Sequence, residues 1–200
     1  MADAPTTRTA VRRKADRGRY ERELVHAILD EALVCHVGFA TADGPVVLPT
    51  MHARVDDTIY LHGAVGNAML RAAADGVPVC VTVTLLDGLV LARSAFHHSM
   101  NYRSVVVFGT ATPVTEPGAK LAALEALIER IHPGRWSEAR QPTDAELRQT
   151  LVVAVPLDEA SAKVRTGPPI DDAEDYALDV WAGEIPLVTT RLEGVPDPTG

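Results

Sequence analysis

From Leu33 to Val114 the chain is a succession of short β-rich runs broken by turn residues, and this pattern limits its fold more than any other feature. Leu33–Thr41, Val46–Val55 and Thr58–His62 are separated by Ala42-Asp43-Gly44-Pro45 and by Asp56-Asp57, which predicts a meander of antiparallel strands. Val65–Asp75 is Ala-rich, with Met69, Leu70 and Ala73 on one face and Gly76 placed to close a short helix. Val77–Leu86 and Leu89–Ala95 flank Asp87-Gly88, a dipeptide that predicts a tight hairpin turn. Ser104–Val114 follows, apolar on both sides at Val105–Phe108 and therefore expected to be buried on both faces. Two amphipathic segments interrupt the strands: Tyr20–Ala32, and Pro117–Ile131, which opens on Glu-Pro-Gly and closes at His132-Pro133-Gly134. Many strands with few, short helices predict a mainly β fold with peripheral helices, a barrel rather than a doubly wound sheet.

The rest of the chain is sparser in signal. Arg135–Gln149 is polar, with a short helix expected at Thr143-Asp144, and Leu151–Val155 with Ala162–Arg165 is expected to make a last strand whose Pro156 interruption belongs on an edge or at a bulge. Residues 1–19 form a basic, mobile arm, 20–187 a single domain, and 188–200 a tail; the segment beyond Gly167 is expected to wrap over the barrel or a partner subunit. A chain of 200 residues with 46% hydrophobic and 23% charged side chains buries a real core without staples. Nineteen basic against 27 acidic residues, a net charge of −8, disfavours binding to a phosphate backbone, so no nucleic acid partner is expected. No apolar run reaches the roughly 18 residues a membrane span needs, and the arm lacks the apolar core of a secretory signal, which points to the cytoplasm. Cys35 and Cys80 sit in apolar runs without ligand-spaced partners and predict core thiols, with no metal site.

Among the candidate chemical residues, His36 has nothing reactive beside it and is expected to be an ordinary strand histidine. In Leu48-Pro49-Thr50-Met51-His52, alternation sets Leu48, Thr50 and His52 on one face, so they line either a ligand groove or a half-exposed strand. His62 ends a run that passes through Gly63-Ala64-Val65-Gly66 to Asn67-Ala68. There the helix N-terminus predicts free amides suited to an anion, or else a plain strand-to-helix turn. Phe96-His97-His98-Ser99-Met100-Asn101-Tyr102-Arg103-Ser104 is the most polar interruption and is expected to be a loop between strands. Its Arg103 has the fork geometry to hold a phosphate or a carboxylate.

Taken together, Thr58–Ala64, Val79–Ser99, Asn101–Gly109 and Trp181–Leu187 resemble the flavin-nucleotide-binding, nitroimidazole reductase-like branch of the pyridoxamine 5′-phosphate oxidase superfamily, over about Arg17–Leu187. The resemblance implies an antiparallel, Greek-key-like FMN-binding split β-barrel. It also implies a homodimer with the cofactor at the subunit interface, and an FMN-dependent oxidoreductase that acts on a small organic molecule with NAD(P)H as a possible reductant. It places the flavin phosphate at His62, Gly63, Ala64 and Asn67, the ring along Leu48, Pro49, Thr50 and Met51, and further contacts at Tyr102, Arg103 and Ser104. His62 becomes the polar group near the ring that exchanges a proton, hence the candidate catalytic residue. Family members often carry Lys or Arg in the phosphate turn where this chain has Asn67-Ala68, so the charge would come from Arg71 or Arg103. Related split barrels use heme or a deazaflavin, which leaves three other readings open: a heme-using enzyme with His62 or His52 as axial ligand, a non-catalytic flavin- or heme-binding carrier or sensor, and a scaffold that has lost its cofactor.

Overall fold

In chain order, the computed structural model, which describes residues 5–199, contains β1 (Gly18–Arg19), α1 (Arg22–Glu31), β2 (Val34–Thr41), β3 (Gly44–Met51), β4 (Ala53–Val55), β5 (Thr58–Ala64), α2 (Ala68–Ala74), β6 (Pro78–Leu91), β7 (Ser99–Thr110), β8 (Thr112–Pro113), α3 (Pro117–Ile131), α4 (Arg135–Glu138), α5 (Asp144–Gln149), β9 (Thr150–Pro156), β10 (Glu159–Arg165) and β11 (Gly183–Pro186). Its contacts gather into two compact units: the chain up to Leu85 with Arg103–Val164, and Leu86–Tyr102 with the chain from Arg165 onward.

The first unit is the barrel. One sheet runs in the order β1-β10-β7-β6-β2-β3, the other in the order β4-β5-β9-β8, and the registered pairs are antiparallel. Period-two alternation points Cys35, Val37 and Phe39 of β2, Ile59 and Leu61 of β5, Val79, Val81 and Val83 of β6, and Val153 and Val155 of β9 into one core. α1 closes it with Val25, Ile28 and Leu29, and α2 with Met69, Leu70 and Ala73. Burial pushes the Cys35 thiol up to about 12, so it behaves as the core hydrophobe expected. A smaller cluster of Ala53, Ala123, Leu124, Leu127 and Val152 lies on the other face of the four-stranded sheet, under α3.

Several expectations need correction. The run Val46–Val55 is two strands in two sheets, because the chain leaves β3 at His52, which is fully buried, and re-enters at β4. Leu151–Arg165 is likewise two strands: β9 is an interior strand of the smaller sheet, paired to β5 and β8, and β10 lies in the larger one. β7 buries Val105 and Val107 and leaves Val106 and Phe108 half-buried, so it is covered on one face, with the Arg8 guanidinium 4.6 Å from the Phe108 ring on the other. The arm is tied down from residue 6 on: Arg8 pairs with Glu159 at 3.0 Å, the Val11 amide donates to the Tyr20 hydroxyl, and Gly18–Arg19 pairs with β10. Residues 1–4 of that arm lie outside the described residues.

In the second unit, Asp87-Gly88 does not turn: β6 runs straight through it, and β11 pairs with Gly88–Leu91. A Cβ on Gly88 would lie 3.1 Å from the Ile185 carbonyl oxygen, so the glycine admits a second backbone at close range. The predicted loop at Phe96–Ser104 shrinks to a 3-10 turn at Ala95–His97, after which Asn101, Tyr102 and Arg103 are strand residues of β7. The Asp171 carboxylate, buried, accepts from the Arg93 and Ser94 amides, which anchors the segment after Gly167.

Candidate functional site

On β5, Ile59 and Leu61 enter the main core, so Tyr60 and His62 must face the opposite side, toward α3. α3 starts where Glu116 accepts from the Gly118 and Ala119 amides and Pro117 takes the first helical position, which needs no donor. Its apolar stripe is wider than the sheet beneath it requires. Leu124 and Leu127 are buried against Val152 and Ala53, but Ile128 is only partly buried and Ile131 is 47% exposed. The chain then folds back. The Glu129 carboxylate accepts from the Gly134 and Trp136 amides at 2.6 and 2.8 Å, and Gly134, at φ +84°, supplies the left-handed turn before α4. A capping box between Thr143 and Glu146 starts α5.

Between β5, α3 and this returning segment lies a cavity of about 570 Å³, a size that takes cofactor-sized molecules. Leu124, Ile128, Ile131 and Trp136 make its apolar walls, His62 and Thr150 contribute from the strands, and Arg135, Arg140 and Glu146 stand where it opens. His62 Nδ1 is buried with no hydrogen-bond partner, and burial pushes the imidazole's pKa below its ordinary 6.5, so the ring is neutral at pH 7. A neutral imidazole in the wall of an apolar cavity suits heme iron, for which neutral histidine is a common ligand. Glu146 is engaged differently: Arg140 and the Thr143 amide and hydroxyl hold its carboxyl down at about 2.

The residues expected to hold a flavin are divided among elements. Gly63, Ala64, Asn67 and Arg71 share the turn from β5 into α2, but the turn is less open than a helix N-terminus suggests. The Asn67 side chain accepts from the Leu70 amide at 3.1 Å, the Val65 amide donates to the Gln149 carbonyl, and the Asn67 amide donates to the Ala64 carbonyl. Gly63 is needed for packing, since a Cβ there would lie 2.9 Å from Leu70 Cδ1. Arg71 is exposed one turn on. Leu48, Pro49, Thr50 and Met51 lie on β3, the edge strand of the larger sheet, with Met51 packed against the cluster under α3. Tyr102, Arg103 and Ser104 lie on β7. Arg103 grips Glu31 with both guanidinium nitrogens, at 2.5 and 2.8 Å, and Ser104 Oγ donates to the Lys163 carbonyl, so the phosphate charge considered for Arg103 is spent on Glu31.

His52 is not a groove residue. It is fully buried, and its Nε2 is 3.0 Å from the Leu29 carbonyl, to which it donates, leaving Nδ1 unpartnered. Of the two histidines considered as axial ligands, His62 lines the cavity under α3 and His52 does not. His36 is exposed on β2. In the second unit, His98 Nδ1 donates to the Ser94 carbonyl, and His97, Asp172 and Asp175 bring donor atoms within 4.8 Å of one another on exposed or half-exposed turns. The cavity walls from α3 to α5 escaped the sequence reading. Their one signal was the apolar stripe of α3 continuing to Ile131 past the point where the helix has a sheet to cover.

The model of the pyridoxamine 5′-phosphate oxidase family matches residues 21–164. The chain belongs to the pyridoxamine 5′-phosphate oxidase family. Two antiparallel sheets around one core are accordingly this family's split barrel. Among solved structures, the flavocytochrome Anf3 from Azotobacter vinelandii is 40% identical, superposes with a TM-score of 0.94 and is matched over 99% of this chain and 92% of its own. The FAD and heme binding protein from Mycobacterium smegmatis is 38% identical, with a TM-score of 0.88, over 91% of this chain and 89% of its own. A 5-nitroimidazole antibiotic resistance protein from Bacteroides thetaiotaomicron, so described with reserve in its own name, shares the fold at 24% identity and a TM-score of 0.61, over 74% of this chain and 86% of its own. No curated protein matches the sequence. No helix among the described residues is long and apolar enough to cross a membrane.

Proposed function

We propose that this protein is a redox protein that binds a flavin and a heme, with the heme in the cavity beside His62. The observation that carries the heme reading is the neutral, half-buried imidazole of His62 in the wall of an apolar cavity of about 570 Å³. Support for both cofactors comes from two relatives at 38–40% identity, one described as a flavocytochrome and the other as binding FAD and heme. The second name favours FAD over the FMN that the family resemblance implies, and the turn at Asn67-Ala68, with no cation of its own before Arg71, agrees with a flavin held by more than its first phosphate.

When bound, the heme supplies one-electron chemistry and the flavin links it to two-electron donors such as NAD(P)H. His62 would hold the iron through a neutral imidazole nitrogen, a role that its lowered proton affinity serves. Leu124, Ile128 and Trp136 exclude water from that side and lower the local dielectric. Flavin binding is assigned to β3 and the β5–α2 turn, completed by a second copy of the chain. β3 is an uncharged edge strand, with Val47 61% and Leu48 38% exposed, and such edges are normally blunted by charge or covered. Turnover of a small organic substrate is the function assigned to the flavin side of the molecule. Heme titration into His62→Ala tests the assignment: affinity should fall by at least about tenfold while flavin content is unchanged, and an unaltered heme affinity would remove His62 from the site.

A further inference from the structure

The heme reading accounts for the walls of the cavity and for His62, but not for the two arginines where it opens. Arg135 and Arg140 both line the cavity, and their side chains are 57% and 67% exposed. Each guanidinium is engaged by a glutamate of its own segment. Arg135 meets Glu138 at 3.2 Å, three residues on, and Arg140 grips both oxygens of Glu146 at 2.7 and 3.0 Å.

Neither pair is a fixture of the fold. Both are solvent-exposed ion pairs, whose net contribution is small and easily exchanged. Release of Arg140 does not strand its partner, because Glu146 keeps the Thr143 amide at 2.7 Å and the Thr143 hydroxyl at 3.0 Å, so the α5 cap survives. Release of Arg135 leaves Glu138, 62% exposed, in water. α4 also keeps its start, which Glu129 holds through the Gly134 and Trp136 amides. An apolar cavity with two exchangeable guanidiniums at its opening is built for a molecule that is apolar over most of its body and anionic at one edge.

We propose that Arg135 and Arg140 are the carboxylate-recognition pair of this cavity, each trading its surface glutamate for a carboxylate of the bound molecule. The site thereby selects a flat apolar ligand with carboxylates along one edge over the same ligand with those groups masked. The inference rests on the cavity being a cofactor site but needs no iron, so metal-free porphyrin tests it apart from ligation by His62. Trp136, in the cavity wall, reports binding by quenching once the exposed Trp181 is replaced by Phe.

The experiment titrates protoporphyrin IX and its dimethyl ester into heme-free, full-length W181F protein. The diacid should bind about tenfold or more tightly than the ester, the size of a charge-assisted hydrogen bond, and R135Q/R140Q should close most of that gap by weakening the diacid alone. Equal affinities in the parent protein overturn the proposal without recourse to any variant. A gap that persists in R135Q/R140Q transfers carboxylate recognition to other residues and overturns this assignment. If neither porphyrin quenches Trp136, the cofactor reading of the cavity falls, and the arginine assignment with it.

Discussion

His52 should make stability depend on pH in the range where histidines titrate. The side chain is fully buried and gives its Nε2 proton to the Leu29 carbonyl, while Nδ1 has no partner, so protonation would place an uncompensated charge in the interior. Burial lowers its pKa from 6.5 in the folded state, with Arg130 pushing the same way and the Leu29 carbonyl opposing. The sign follows: above about pH 6.5 both states are neutral and the shift has no effect; as pH falls below it the unfolded chain takes up a proton that the folded chain refuses, and stability is lost down to the folded pKa. If the folded pKa lies well below 5.5, the loss from one histidine between pH 7.0 and 5.5 is up to about 1.3 kcal/mol, with a limiting slope near 1.4 kcal/mol per pH unit. His52→Gln keeps an amide donor for Leu29 and removes the titration. Urea unfolding of both proteins at pH 7.0 and 5.5 isolates the difference, since every other titrating group is common to the pair. The parent should lose up to about 1.3 kcal/mol more than the variant on acidification; parallel losses would refute the buried, neutral assignment.

Three further outcomes are expected. Leu127→Ala removes a fully buried side chain from the cluster under α3 and should cost about 2–5 kcal/mol, read from the urea midpoint; a cost under about 1 kcal/mol would mean that α3 does not pack on the sheet as described. Gly88→Val places a branched side chain where a Cβ already lies 3.1 Å from the Ile185 carbonyl, so β11 should detach and the Leu187 amide, which donates to the Asp87 carbonyl, should lose hydrogen-exchange protection. Unchanged protection at Leu187 would contradict that pairing. Mixing differently tagged copies and co-purifying them tests the uncharged β3 edge as a subunit contact; charge at Val47, as Val47→Lys, should abolish the association, and a monomer in the parent protein would contradict the contact.

How far the sequence revealed the fold depended on whether the signal was local. α3 was readable to the residue because its cap, its Pro at the first position and its His-Pro-Gly exit are all adjacent in sequence. α2 begins three residues later than expected, where the Asn67 cap sets the boundary, and ends one residue earlier. Asp87-Gly88 misled because its dipeptide signal is that of a hairpin, and the partner that keeps it extended, β11, comes about a hundred residues later. His52 misled because alternation cannot show that the chain changes sheets at that residue. In the candidate site, His62 was legible as a strand-end histidine before two glycines. The cavity it faces was not, because Trp136 and the arginines, which close it against Ile128 and Ile131 of α3, belong to a polar return segment whose fold depends on one side chain, Glu129, capping amides five and seven residues on.

Whether this protein holds both a flavin and a heme can be read from the absorption spectrum of the full-length protein after gel filtration, as purified and after both cofactors are supplied. Flavin bands in the near-ultraviolet and blue should appear together with a heme Soret band, all co-eluting with the protein. A spectrum that shows neither cofactor after both have been offered, or flavin without heme at any loading, would contradict the two-cofactor proposal.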